Sequence, residues 1–207
     1  MKCNYIVSGL ERSGTSLMMQ ILEKGGVPVA YDESRKSDEN NPKGYYELEK
    51  GKIINKIFDG EFDFSKYEGK FIKVTSFGVG ALPPGNYNII YMDRDIQEII
   101  DSTQKMSDKK FSRKKLKRSL TKLNDMIKEE IDRRVDINYI IVNYNNLLAD
   151  YDNEILKVKE FLDKFDINKG KKAIDKKLYR NKRHLVDSLS KKDKELIEER
   201  LRQLGYL

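Results

Sequence analysis

The sequence predicts an α/β fold, a three-layer sandwich in which a small, mostly parallel sheet is flanked by helices, with a phosphate loop after the first strand. Three observations lead there. Short apolar runs at residues 5–9, 70–75, 88–92 and 138–142 alternate with segments of helical period, as buried parallel strands joined by helices do. The first run stops at Gly9, and a turn closing on a second glycine leads into a helix-compatible series at Thr15. The length of 207 residues suits one domain over 1–207, able to bury roughly 70% of its unfolded surface.

The first strand and helix come from Tyr5-Ile6-Val7-Ser8-Gly9 and from Leu17, Met18, Ile21 and Leu22 on one helical face. The turn between them is an anion site before any side chain is counted. Backbone N–H groups at a helix start lack intrahelical partners and sit at the positive end of the helix dipole. Gly9 and Gly14 let the backbone approach an anion, and the Thr15 and Ser16 hydroxyls add donors. The spacing from Gly9 to Gly14 fits the nucleotide-hydrolase pattern G-x-x-x-x-G-K-[ST], the P-loop, but Thr15 fills the lysine slot. The nearest cation is Arg12, whose planar fork can grip a terminal oxyanion in two places.

Gly25-Gly26-Val27-Pro28 ends the first helix, and a polar connection runs from Tyr31 to Tyr46, long enough for a lid or substrate wall. Within it Asn41-Pro42-Lys43-Gly44 fixes a turn that presents Tyr45, Tyr46 and Glu47. Ile53, Ile54, Ile57 and Phe58 give a helix face, residues 59–69 are turn-rich, and the second strand leads from Ser76 into a glycine-rich loop closing at Leu82-Pro83-Pro84-Gly85. Asp93-Arg94 stands at the end of the third strand, and Ser102 lies eight residues further, on the following helix. Ligands of open α/β sheets bind beyond the carboxyl ends of strands, so Arg12 and Arg94 should converge on one crevice.

The basic run at 107–119 reads as a solvated face or mobile connection, or else as an attractor of polyanions. A helix with Leu120, Leu123, Met126, Ile127 and Ile131 inward follows, then the fourth strand, Tyr144-Asn145-Asn146-Leu147-Leu148, and a helix over about 153–164 with Ile155, Val158, Phe161 and Leu162 facing in. The tail holds a basic loop at 176–184 and a last amphipathic helix from a Ser190 cap to Gly205.

Several of these strings resemble one family. Ser8-Gly9-x-x-Arg12-Ser13-Gly14-Thr15-Ser16 resembles the 5′-phosphosulfate loop of the sulfotransferases, which use 3′-phosphoadenosine 5′-phosphosulfate (PAPS), with Glu11 where that pattern commonly has proline. Asn41-Pro42-Lys43-Gly44-Tyr45-Tyr46-Glu47 is similar to a string that follows that loop in small microbial sulfotransferase-like proteins. The Arg94/Ser102 spacing resembles the family's 3′-phosphate pair, and Tyr144 to Leu147 its Tyr-Glu-x-Leu, with Asn145 in place of the acid. The resemblance runs from Tyr5 to about Leu162.

It implies transfer of a sulfuryl group from PAPS to a hydroxyl or amine of a small molecule, carbohydrate or protein, without a metal. PAPS, or its product PAP, would be held by Arg12, Ser13, Gly14, Thr15, Ser16, Arg94 and Ser102. Arg180, Lys182 and Arg183 stand for the family's late basic segment, whose glycines are missing here. Lys73, at the end of the second strand, is the further cation expected on the leaving side. Lys73-Val74-Thr75-Ser76 lacks the histidine that many cytosolic sulfotransferases place there, so Glu47 is the expected base, before Asp38 and Glu39. The catalytic set is therefore Glu47, Arg12 and Lys73.

Composition narrows the alternatives. The net charge of +7 favours anionic ligands without choosing among them, and no specific nucleic-acid partner is expected. Cys3 is the only cysteine and His184 the only histidine, which excludes an intramolecular disulfide, cysteine clusters and histidine metal triads. No charged-then-apolar leader and no apolar run of about eighteen residues is present, so a cytoplasmic protein without a membrane span, monomer or dimer, is expected. The rival functions are an ATP-dependent phosphotransferase, with Asp93 recruited to hold Mg²⁺, and a non-catalytic nucleotide or polyanion binder.

Overall fold

Strand β1 (Asn4–Gly9) lies inside the sheet, where Ile6 and Val7 are fully buried on opposite faces. The computed structural model describes residues 3–33, 37–38, 41–106 and 112–175. β1 pairs in parallel with β2 (Phe71–Lys73) on one side and β3 (Tyr87–Asp93) on the other, and β3 pairs in parallel with β4 (Ile137–Asn143). The order β2-β1-β3-β4 places β1 and β3 side by side where the connections change direction. That junction is the topological switch point, at which ligands of such sheets bind beyond the strand ends.

Helices cover both faces. Ile6, Ile72, Ile89 and Tyr91 pack against Ile53 and Ile57 of α2 (Ile53–Phe58), Val79 of α3 (Ser76–Val79), and Ile127 and Ile131 of α5 (Arg113–Arg133). On the other face α1 (Thr15–Lys24) meets β1 and β2 through buried Met18, Ile21 and Leu22. α4 (Ile96–Met106) follows β3, and α6 (Tyr144–Ala149), α7 (Tyr151–Glu154), α8 (Leu156–Phe161) and α9 (Ile167–Lys171) follow β4. α8 packs on β4 and α9 on α1.

Several elements differ from the sequence reading. β2 has three residues, and the stretch read as a glycine-rich loop begins with α3. Gly78 there serves packing, since a Cβ would lie 2.6 Å from Val74 Cγ1 and 3.3 Å from Ile54 Cγ1. The basic run is already helical from Arg113, where Ser112 caps the first turn by accepting from the Lys115 amide. Phe58 and Met126 point outward, 55% and 52% exposed, and Leu17 is only half-buried. The helix expected over 153–164 divides at Ile155 into α7 and α8, and α9 was not anticipated. The basic loop and last helix expected in the tail lie outside the described residues.

A buried polar chain ties the end of β3 to two helices. The Tyr91 hydroxyl lies 2.8 Å from Ser76 Oγ and donates to Asn124 Oδ1 at 2.8 Å, and Asn124 Nδ2 donates to Asp93 Oδ1 at 3.3 Å. Lys128 pairs with the other Asp93 oxygen at 3.0 Å. Burial pushes the Tyr91 hydroxyl up to about 12, so it remains a donor. Tyr91→Phe would leave Asn124 Oδ1 short of a partner inside the protein. Urea denaturation should show a loss of about 1–3 kcal/mol; an unchanged midpoint would mean that the chain of bonds adds nothing.

Candidate active site

The turn from Gly9 to Gly14 needs three positive-φ residues, Gly9 at 142°, Arg12 at 69° and Gly14 at 103°. Each glycine also admits a close neighbour. A Cβ on Gly9 would overlap Ser13 Oγ and lie 2.5 Å from the Met92 carbonyl, and one on Gly14 would run into the ring of Tyr144. Arg12 has no such freedom, because a non-glycine left-handed residue is strained by about 1–3 kcal/mol and persists only where its surroundings hold it. Here they do: Arg94 Nη1 donates to the Arg12 carbonyl at 2.9 Å, and Arg12 Nε donates to Ser102 Oγ at 3.0 Å.

α1 therefore opens next to the switch point with Gly14 as its N-cap, with no side-chain cap bond and no acid in its first turn. Ser13 Oγ is buried without a hydrogen-bond partner among the described residues. Free N–H groups at a helix start, with an orphaned hydroxyl beside them, fit a phosphate or sulfate oxyanion.

Two clusters flank the loop. Beyond β3, Arg94 is 8% exposed and pairs through Nη2 with Glu98 at 3.0 Å, while its guanidinium lies 4.2 Å from the centre of the Tyr144 ring. At the end of β2, Lys73 is 6% exposed; its Nζ donates to the Tyr45 carbonyl and pairs with Glu47 Oε1 at 3.3 Å. Ser16 Oγ donates to the same Tyr45 carbonyl at 3.1 Å, so α1, β2 and the Asn41 to Glu47 string meet at one atom.

That string is pinned along its length. Lys43 Nζ donates to the Ala173 carbonyl at 2.9 Å, and the buried Tyr45 donates its hydroxyl to Asp38 at 2.8 Å. Tyr46, at φ 54°, donates to Glu23 on α1 at 2.5 Å, and Tyr31 donates to the same carboxylate at 3.3 Å. Burial, then the Glu23 carboxylate, pushes the Tyr46 hydroxyl up, which keeps it protonated.

The expected site residues that the structure describes thus gather around the loop with particular partners. Arg94 and Ser102 both converge on Arg12, one on its carbonyl and one on its guanidinium. Glu47 and Lys73 form an ion pair. Asp38 is engaged by Tyr45 and by the Asn41 amide, and Asp93 by Lys128 and Asn124. Glu39, Arg180, Lys182 and Arg183 lie outside the described residues. Sequence reasoning missed Glu98, although an acid four residues after Arg94 at a helix start was a usable signal. It also gave Tyr144 no part in holding the loop.

Among the described residues no cluster of three or more His, Cys, Asp or Glu is placed to hold a metal, and no helix is long and apolar enough to cross a membrane. No family model matches the chain, and no curated protein matches it. A crystal structure of a sugar kinase from Janibacter sp. HTCC2649, unliganded, is similar at 14% identity and a TM-score of 0.40, over 79% of this chain and 96% of that one. At that distance the fold and the site are read from this chain's own residues.

Gly14→Ala tests the loop itself. The substitution adds left-handed strain to a collision with Tyr144, and chemical denaturation should report a loss of about 2–5 kcal/mol. A loss within about 0.5 kcal/mol, the usual range of a surface change, would contradict the close approach of loop and ring.

Proposed function

We propose that this chain is a PAPS-dependent sulfotransferase acting on a hydroxyl or amine acceptor. The observation that carries the reading is the meeting of Arg12, Arg94 and Ser102 beside an uncapped helix start at the switch point. A phosphate loop alone suits any nucleotide. The side chain of Arg12, turned from the loop toward Ser102 on α4, adds a cation on the side of the neighbouring strand, which suits a donor with a further phosphate on its ribose.

In this reading the loop N–H groups and the Ser13 and Thr15 hydroxyls hold the 5′-side oxyanions, while Arg12, expected at the reacting centre but turned toward Ser102, meets the 3′-phosphate with it. Arg94, its charge matched by Glu98, holds Arg12 in place. When bound, PAPS supplies an activated sulfuryl group. Such transfer spreads negative charge in line between two oxygens, so, as in phosphoryl transfer, the protein chiefly positions and neutralises. Glu47 accepts the proton of the acceptor hydroxyl. As it does so its pull on Lys73 falls, and the ammonium turns to the charge growing on the leaving side. Thr15 in the lysine slot favours this over ATP-dependent transfer.

Incubation with radiolabelled PAPS, a panel of hydroxyl and amine acceptors and no magnesium tests the proposal. Label should pass to an acceptor, and Glu47→Gln should lower turnover by about 100-fold or more with PAP binding retained, the scale of a lost general base. Transfer from ATP with magnesium, and none from PAPS, would overturn it.

A further inference from the structure

We infer that Asn145 is a positioning residue for the anion site, acting on Arg94 through the buried carboxylate of Glu98. Glu98 is 1% exposed, and a carboxylate so placed needs donors on both oxygens. Arg94 supplies one side, with Nε at 3.1 Å and Nη2 at 3.0 Å from Oε2. Asn145 supplies the other, donating from Nδ2 to Oε1 at 3.0 Å.

The amide's orientation is settled by its second contact, since Asn145 Oδ1 accepts from the Asp95 amide at 3.4 Å. Asp95 in turn accepts from the Glu98 amide at 3.0 Å and caps the start of α4. The order of contacts is then Asn145, Glu98, Arg94, the Arg12 carbonyl, with Tyr144 beneath the guanidinium. Each step fixes the next. Glu98 fills the Nε and Nη2 edge of Arg94, which leaves Nη1 for the strained residue of the loop.

Residue types at 98 and 145 are therefore matched as one acid and one amide donor. Aspartate at 145 has nearly the shape of asparagine but turns a second carboxylate oxygen toward Glu98, away from water. Repulsion would displace Glu98, free Arg94 and loosen the loop. Glutamine at 98 would remove the conflict, because its amide can donate to the new carboxylate while its carbonyl accepts from Arg94.

The ligand arm of the test rests on the proposed donor site, and the spectroscopic arm does not. The Arg94 Nε–H signal is followed by ¹⁵N NMR in the unliganded full chain, and affinity for adenosine 3′,5′-bisphosphate is measured by calorimetry. The forms compared are the parent, Asn145→Ala, Asn145→Asp and Glu98→Gln/Asn145→Asp. In Asn145→Asp the Nε–H should exchange with water about tenfold faster and affinity should fall about tenfold, more than in Asn145→Ala. The double variant should return to within about threefold of the parent. An unchanged Nε–H signal in Asn145→Asp, or a double variant no better than the single one, overturns the inference. If Asn145→Asp does not fold, recovery of folding in the double variant supports the inference and its failure overturns it. If the bisphosphate binds no form, the sulfotransferase reading fails, and the NMR comparison still decides the role of Asn145.

Discussion

The bond from Arg94 Nη1 to the Arg12 carbonyl joins the end of β3 to the loop after β1. Arg12 sits in a backbone conformation that L-residues avoid, and the loop keeps it because a buried arginine from the next strand's end holds its carbonyl while Ser102 holds its side chain. The sheet order makes the contact possible. β1 and β3 are neighbours with their carboxyl ends together, so the residue after one strand and the loop after the other share a crevice. Without that adjacency Arg94 would be an ordinary helix-start ion pair with Glu98.

The fold was largely legible, and the reasons are local. Strand runs rich in isoleucine and valine, two glycines around a short turn and helical periods identify the sheet, the loop and α1. The errors came where packing overrides pattern. The glycines after Ser76 read as a loop, yet Gly78 is there so that Val74 and Ile54 can approach. Phe58 reads as part of an apolar face and points outward, its ring 5.6 Å from that of exposed Phe77. The basic run reads as a solvated face or mobile connection, and its second half is a solvated face, the exposed start of a helix of 21 residues that buries only Asn124, Ile127 and Ile131.

The bonds among the expected site residues were not legible in the sequence. Spacing brought Arg94 and Ser102 together with the loop, but Ser102 accepts from Arg12, which no spacing rule contains. Glu47 and Lys73 lie 26 residues apart in sequence, and their pairing follows from where the Tyr45 carbonyl is drawn by Ser16 and Lys73. Asn145 departs from the acid that the resemblance expects; beside buried Glu98, an amide donor satisfies an oxygen that an acid would repel. The loop lies between the buried Arg94 and Glu98 pair beyond β3 and the Lys73 and Glu47 pair at the end of β2; under the proposed function the first flanks the donor and the second the acceptor.

The proposed function requires that Arg12 and Ser102, braced by Arg94, meet a 3′-phosphate. Calorimetric titration with adenosine 3′,5′-bisphosphate, beside ADP and beside ATP with magnesium, on the parent chain and on Ser102→Ala, addresses it most directly. The bisphosphate should bind about tenfold or more tighter than ADP, a difference of about 1.4 kcal/mol, and Ser102→Ala should narrow the gap. ADP or ATP binding as tightly as the bisphosphate, with Ser102→Ala leaving the ratio unchanged, would contradict it.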